Sequence, residues 1–224
     1  AGGASGGSTS SGISIGSGNT NSSSANTTEG IAVGANTFAN AEQSTVIGND
    51  VNTSTTAIQA VVIGSNFNSN QTTTTGKGGV SIGSGLTTGL KSPTANGIGS
   101  VAIGSSGDNT ANSNNYNGAV ATGNHALALL AGANVAGANS IGIGVGANVA
   151  GANSIGLGAN ANASVTSTIA IGLNANTSAS NALSIGSNAT ATTGGGVAIG
   201  NGANSAASEG LAIGATTRAI GTQS

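Results

Sequence analysis

The sequence predicts an all-β chain wound into a parallel solenoid, a stack of flattened coils with one coil per sequence repeat. Three observations predict it. A short core, φ-x-φ-G with φ an Ile, Leu or Val and x small, recurs through residues 140–214 at a strict 14-residue period, its glycines standing at Gly144, Gly158, Gly172, Gly186, Gly200 and Gly214. A fixed period outranks residue-by-residue propensity. This one is too short for a helical repeat, but it suits two short strands and two tight turns, stacked at roughly 4.8 Å per coil. Second, the 41 glycines among 224 residues would suit a flexible tract, yet only 4% of the chain is charged and its mean hydropathy is +0.15. Disordered chains combine low hydrophobicity with high charge. Third, the 37% apolar fraction contains only Phe38, Phe67 and Tyr116 as aromatics. Such a composition can build a thin core and not a globular one of ordinary depth.

In chain order, residues 1–11 are a Gly/Ser-rich segment expected to fray. Residues 12–138 are expected to form coils with long loop insertions, and residues 139–224 regular 14-residue coils. The first cores are ISIG ending at Gly16, IAVG at Gly34, TVIG at Gly48, VVIG at Gly64, VSIG at Gly83 and VAIG at Gly104. Their spacings equal or exceed the regular period while the core itself is kept, so the extra residues map to loops on one side of the solenoid. The longest insertions are 67–79, 85–99 and 105–118. They contain Phe67, Lys77, Lys91, Pro93, Asp108 and Tyr116, and Phe67, Lys77, Lys91, Asp108 and Tyr116 are the candidate ligand contacts because loops diversify while coils must stack. Between the two regions, VATG (120–123) and LALL (127–130) both read as coil cores, yet they lie only half a period apart. One of them must be a second-strand segment or part of an excursion.

Alternation along a strand sends φ, x and φ to opposite faces. The large residues, among them Ile143, Leu157, Ile171, Ile185, Ile199 and Ile213, are expected to point into the coil. Burying each contributes ~1.5–3 kcal/mol. They would face small residues across the interior: Ala147, Ala161, Ala175, Ala189 and Ala203 three past each glycine, and Val149, Ala163, Thr177, Ala191 and Ser205 five past it. The x row, which includes Ala102, Gly142, Gly156, Ala170, Ser184, Ala198 and Ala212, never carries charge or bulk. A free solvent face would, so the x row is expected to lie against a partner surface. Asn148, Asn162, Asn176 and Asn204 form a further row, expected to serve turns and amide ladders.

These cores and spacings resemble the YadA-like head of trimeric autotransporter adhesins, whose repeat runs close to N-S-φ-A-φ-G. Here the motif stands as NSIGIG (139–144), NSIGLG (153–158), NALSIG (181–186) and GVAIG (196–200). The resemblance covers about residues 12–221 and is most specific across 139–214. It implies a left-handed parallel β-roll with three chains around a common axis, and the uncharged x row is then expected to face that axis. It also implies a bacterial cell-surface adhesin, anchored in the outer membrane through regions outside this stretch. Such heads attach to host matrix proteins, cells or abiotic surfaces. A non-binding fibre or spacer segment, such as a phage or fimbrial shaft, is the alternative, and an ice-binding solenoid a third.

Composition and motif spacing exclude several chemistries. The net charge of −2 and the scattered Lys77, Lys91 and Arg218 give no basic patch for phosphate contacts. There is no cysteine for thiolate metal sites or disulfides. No apolar run is long enough for a membrane helix. His125 is the only histidine, and Glu29, Glu42, Asp50, Asp108 and Glu209 do not cluster, so neither a catalytic constellation nor a cofactor is expected. IGIGVG lacks the following helix that a phosphate loop needs. The calcium-roll pattern G-G-x-G-x-D is missing, and hexapeptide solenoids have period 6, which does not divide 14.

Overall fold

A computed structural model describes residues 12–16, 24–25, 29–65, 72–85, 90–107 and 116–221. The chain is an all-β parallel solenoid of about 12 turns with ~14-residue coils, and no helix occurs among the described residues. It divides into two compact units after Asn124.

In the unit that begins at His125, each coil has a three-residue strand and a two-residue strand. The longer strands are Leu127–Leu129, Ile141–Ile143, Ile155–Leu157, Ile169–Ile171, Leu183–Ile185, Val197–Ile199 and Leu211–Ile213. Each pairs in parallel with the next at an offset of one repeat: Ile141 with Ile155, Gly142 with Gly156, Ile143 with Leu157, and so on to Ile213. The shorter strands, such as Asn148–Val149 and Asn162–Ala163, stack in the same way on the other side of the coil.

The two turns of each coil share one solution. A positive φ recurs at every half-period, at Gly132, Asn139, Gly146, Asn153, Asn160, Ser167, Asn174, Asn181, Asn188, Gly195, Gly202, Glu209 and Thr216. Each half of the coil is therefore closed by a left-handed residue. Asn is the non-glycine residue best suited to that conformation, because its short amide bonds locally. Six of the asparagines in this unit, Asn139, Asn153, Asn160, Asn174, Asn181 and Asn188, stand at these turns.

The facing of the strands is the reverse of the expectation. Ala102, Gly142, Gly156, Ala170, Ser184, Ala198 and Ala212, the x row, are buried inside the coil of a single chain. They pack against the row five past each glycine, also buried: Val135, Val149, Ala163, Thr177, Ala191 and Ser205. Ile143, Leu157, Ile171, Ile185, Ile199 and Ile213 point outward and are half-buried or exposed. The cause is volume. A methyl group built on Gly142 would lie 2.4 Å from Cγ2 of Val135 and 3.3 Å from Cγ2 of Val149. Gly156 meets Cγ2 of Val149 at 2.7 Å in the same way, so the valines fill the space above the two glycines. No isoleucine fits there. The residues three past each glycine (Ala147, Ala161, Ala175, Ala189, Ala203) are buried at the inner edge of the turn.

The coil glycines stack where any side chain would collide. From Gly144 to Gly214 their φ runs between 117° and 146°. A methyl group at Gly172 would lie 2.5 Å from the Gly186 carbonyl oxygen. Gly172→Ala is therefore expected to cost at least ~1–3 kcal/mol from backbone strain alone and to lower the thermal midpoint measured by circular dichroism. Gly202→Asn is the control. Gly202 has φ +66°, as Asn174 and Asn188 have their own left-handed φ at the same turn position, and a methyl group there would meet only Thr216 Cγ2, at an ordinary 3.6 Å, so the midpoint should barely move.

The ambiguity between VATG and LALL resolves through pairing. Val120–Ala121 pairs with Thr94–Ala95, a short-strand position. Leu127–Leu129 pairs with Ile141–Ile143, a long-strand position. LAL is the coil core, and Leu130 occupies the glycine slot with φ 80°.

In the unit that ends at Asn124 the long strands are Ile13–Ile15, Val61–Ser65, Val80–Ile82 and Val101–Ile103, with the nine-residue strands Ile31–Ala39 and Thr45–Thr53 running through a bend. Their x residues Ala32, Val46, Val62, Ser81 and Ala102 are likewise buried.

Candidate functional site

Three surfaces could carry function: the outward aliphatic face, the asparagine ladders and the corner that bears the insertions. The aliphatic face follows from the inverted strand facing. In the unit from His125, one column runs Leu127, Ile141, Ile155, Ile169, Leu183, Val197, Leu211 and a second runs Leu129, Ile143, Leu157, Ile171, Ile185, Ile199, Ile213. The parallel register sets like on like at every coil. Most of these side chains are half-buried between the coils on either side, while Ile141 is exposed at 36% and Leu211 and Ile213 at 56% and 59%. The flat outer surface still faces water, and no charged residue interrupts either column. The other unit presents the same kind of surface, with Ile31, Val33, Ile47, Val61, Ile63, Val80, Ile82, Val101 and Ile103 half-buried or exposed.

The short strands carry polar side chains outward. Asn134 Nδ2 donates to Asn148 Oδ1 at 3.3 Å, Asn148 to Asn162 at 3.0 Å and Asn162 to Asn176 at 2.8 Å. The expected amide ladder is present on the short strands from Asn134 to Asn176; Asn204, separated from Asn176 by Thr190, is not part of it, and its Oδ1 is buried without a partner. Different asparagines serve the turns, and these make ladders of their own: Asn160 to Asn174 at 3.3 Å and Asn174 to Asn188 at 3.2 Å. In the other unit, Gln43 Nε2 donates to Glu29 Oε2 at 2.8 Å, and Gln59 Nε2 to Gln43 Oε1 at 3.0 Å. Inside, the serine of the NSIG motif has a structural task. Ser140 Oγ donates to the Gly151 carbonyl at 2.8 Å and accepts from the Ser154 backbone N–H at 3.1 Å. Ser154 repeats the pattern toward Val165 and Thr168.

The insertions leave from one corner, the one after the long strand. There the chain spends residues 66–71 before Thr72–Thr74, 83–93 before Thr94–Ala95 and 104–119 before Val120–Ala121, where a regular coil spends 144–147. The return connections 75–79 and 96–100 keep the length of the regular 150–154. Lys77 is thus exposed on an ordinary return turn, closed by Gly79 N–H donating to the Gly76 carbonyl at 3.0 Å, and not on an insertion. Lys91 is tied to the two residues that follow Tyr116. The Lys91 N–H donates to Asn117 Oδ1 at 2.9 Å, and the Gly118 N–H to the Lys91 carbonyl at 2.6 Å. Tyr116 and Gly107 exchange backbone hydrogen bonds at 2.9 and 3.0 Å, the antiparallel neck of the third insertion. Pro93 is buried beneath, and a methyl group at Gly118 would lie 2.4 Å from its nitrogen. Phe67 and Asp108 lie outside the described residues.

Among the described residues, no group of three or more His, Cys, Asp or Glu is placed to hold a metal ion, and no helix is long and apolar enough to cross a membrane. The class defined by these features is a parallel β-solenoid with small residues inside and aliphatic columns outside. No protein-family model matches the chain, and a search of curated proteins returns no match.

Proposed function

We propose that the chain is part of the head of a trimeric surface adhesin, a binding protein and not an enzyme, displayed on a bacterial outer membrane. The observation that carries this reading is the pair of outward Ile/Leu/Val columns, in register at every coil of a chain with 4% charge. Monomeric proteins seldom leave contiguous apolar strips uncovered, and a repeat that presents the same strip on every coil suits self-association along its whole length. Copies packed in parallel about a common axis cover the strips together, as the resemblance of the NSIGIG-type motifs to YadA-like heads implies for three left-handed chains. The axis is lined by the φ columns, because the x row is already consumed inside each coil. The insertions and asparagine ladders then face outward, toward a matrix protein, a cell or an abiotic surface. Repeated weak contacts along such a surface gain from multivalency.

The uninterrupted coils from His125 onward favour a second reading for that unit, a non-binding structural spacer. Sedimentation of the chain, with binding to matrix proteins, cells and plastic, tests the reading. A trimer that binds at least one of these supports it, and a monomer or a non-binding trimer counts against the adhesin. Replacing 83–93 and 104–119 each by the regular connection 158–161 should reduce binding by roughly tenfold or more with the β spectrum kept. Unchanged binding would assign the ligand to the regular coils.

A further inference from the structure

The second and third insertions, 83–93 and 104–119, share more than a corner. Their departing arms are bonded to each other: the Ser106 N–H donates to the Ser84 carbonyl at 3.0 Å, and the Ser84 N–H to Ser105 Oγ at 3.0 Å. Their returning arms are bonded through the Lys91 N–H to Asn117 Oδ1 and the Gly118 N–H to the Lys91 carbonyl. The base they form has buried residues of its own: Ser92, Pro93, Ser106, Gly118 and Ala119. Pro93, the only proline of the chain, packs against both insertions. A methyl group built on Gly83, in the departing arm of the second, would lie 2.8 Å from Pro93 Cγ and 3.0 Å from the Gly104 carbonyl carbon of the third. One built on Gly118, in the returning arm of the third, would lie 2.4 Å from the Pro93 nitrogen. A proline there leaves no N–H to be satisfied against that close backbone.

We infer that the two insertions are one binding element, in which the second orders the third and a ligand is contacted by both together. The neck of the third insertion carries the argument. There Gly107 and Tyr116 exchange backbone hydrogen bonds. Gly107 follows Ser106 and Tyr116 precedes Asn117, and Ser106 and Asn117 are the residues that the second insertion holds. The second insertion thus fixes both sides of the neck, and Asn117 is the positioning residue on the returning side. Loops held by few contacts open readily, and these bonds supply contacts that the coil ladder does not. Lys91 and Asn117 are both exposed on the base, so a ligand resting there meets the two insertions side by side. This shared contact rests on the adhesin reading above, whereas the ordering of the third insertion by the second does not.

Tyr116 is the only tyrosine, and the chain has no tryptophan, so its emission reports the neck directly in the full chain. With 83–93 replaced by the regular connection 158–161 and 104–119 intact, Tyr116 anisotropy should fall toward that of the urea-unfolded chain while the β spectrum is kept. Asn117→Ala should lower it part of the way. Asn117→Asp, which keeps an oxygen acceptor for the Lys91 N–H, should hold it at the wild-type value. On a matrix protein, cell or plastic surface that the wild type binds, shortening either insertion should weaken binding by the same factor as shortening both, to within about twofold, because contacts within one coupled element do not add. If the shortened chain loses its β spectrum, the two Asn117 variants decide the ordering. Anisotropy unchanged by Asn117→Ala and by loss of the second insertion would show that the third stands alone, and losses of binding that multiply would show two separate contacts. Either result overturns the inference and leaves the adhesin reading in place. A wild-type chain that binds none of these surfaces overturns the adhesin reading and the shared contact with it, and the anisotropy still decides whether the second insertion orders the third.

Discussion

Replacing Ala170 and Ala198 by lysine should unfold the regular coils and not merely loosen an assembly. Both alanines are fully buried within their own coil, Ala170 between Gly156 and Ser184 on adjacent coils and Ala198 between Ser184 and Ala212. Their Cβ atoms face a row in which Thr177, Ala191 and Ser205 leave no room for a four-carbon stem. A lysine there must bury an ammonium without a counter-ion, at several kcal/mol per group, or push the stem through the strand pairing on either side. Two such changes in coils two repeats apart are comparable with the ~5–15 kcal/mol that holds a typical domain together. The expected result is loss of the β signal in the unit from His125, read by circular dichroism at any protein concentration. Asn176→Lys is the comparison: that side chain is outward and sits in a ladder, so the fold should survive. A double-lysine variant with a wild-type spectrum and melt would mean that the x row is solvent-facing and that the coil interior has been misassigned.

The second large effect separates fold from assembly. Ile171→Lys with Ile199→Lys should abolish self-association and leave each chain folded. Both residues are half-buried on the outer face, two coils apart, with Ile185 between them. In a single chain the lysine stems can lie along neighbouring aliphatics while the ammonium groups reach water, so the coil loses little. Around the threefold axis proposed above, the same change would put six like charges into a narrow interface with no partner for any of them. The expected result is a monomer by sedimentation with an unchanged far-ultraviolet spectrum. A double variant that remains trimeric would remove the φ columns from the interface. A variant that unfolds would instead show that these columns stabilise the single coil more than their half-burial suggests.

Much of this architecture was legible in the residues. The regular glycine period announced a solenoid, because stacked coils demand the same backbone at the same place in every turn. The growing spacings past Gly64 announced insertions, and there the chain does expand at one corner, while the step from Gly48 to Gly64 gains its two extra residues in the return connection 54–60. A half-period was also present, in the Asn, Gly and Ser residues from Gly132 to Thr216, and it could have been read as two left-handed turns per coil. Three things were decided only by the tertiary structure. Alternation shows that φ and x lie on opposite faces but not which face is inside. Hydrophobicity suggested the isoleucines, whereas the interior of so thin a coil selects by volume, and only Gly, Ala, Ser, Thr and Val fit. The signal that would have found this is the matching of Gly142 and Gly156 with Val135 and Val149, a compensation of size between two small rows. Pairing, and not motif, chose Leu127–Leu129 over Val120–Ala121 as the coil core, because a φ-x-φ stretch looks alike on either side of a coil until its hydrogen-bonded neighbour is known. Finally, Lys91 and Asn117 stand well apart in sequence, on different insertions, and meet only because those insertions leave successive coils from the same corner. Stacking brings together what the period keeps in register, and it left Lys77, on the ordinary return turn, outside that corner.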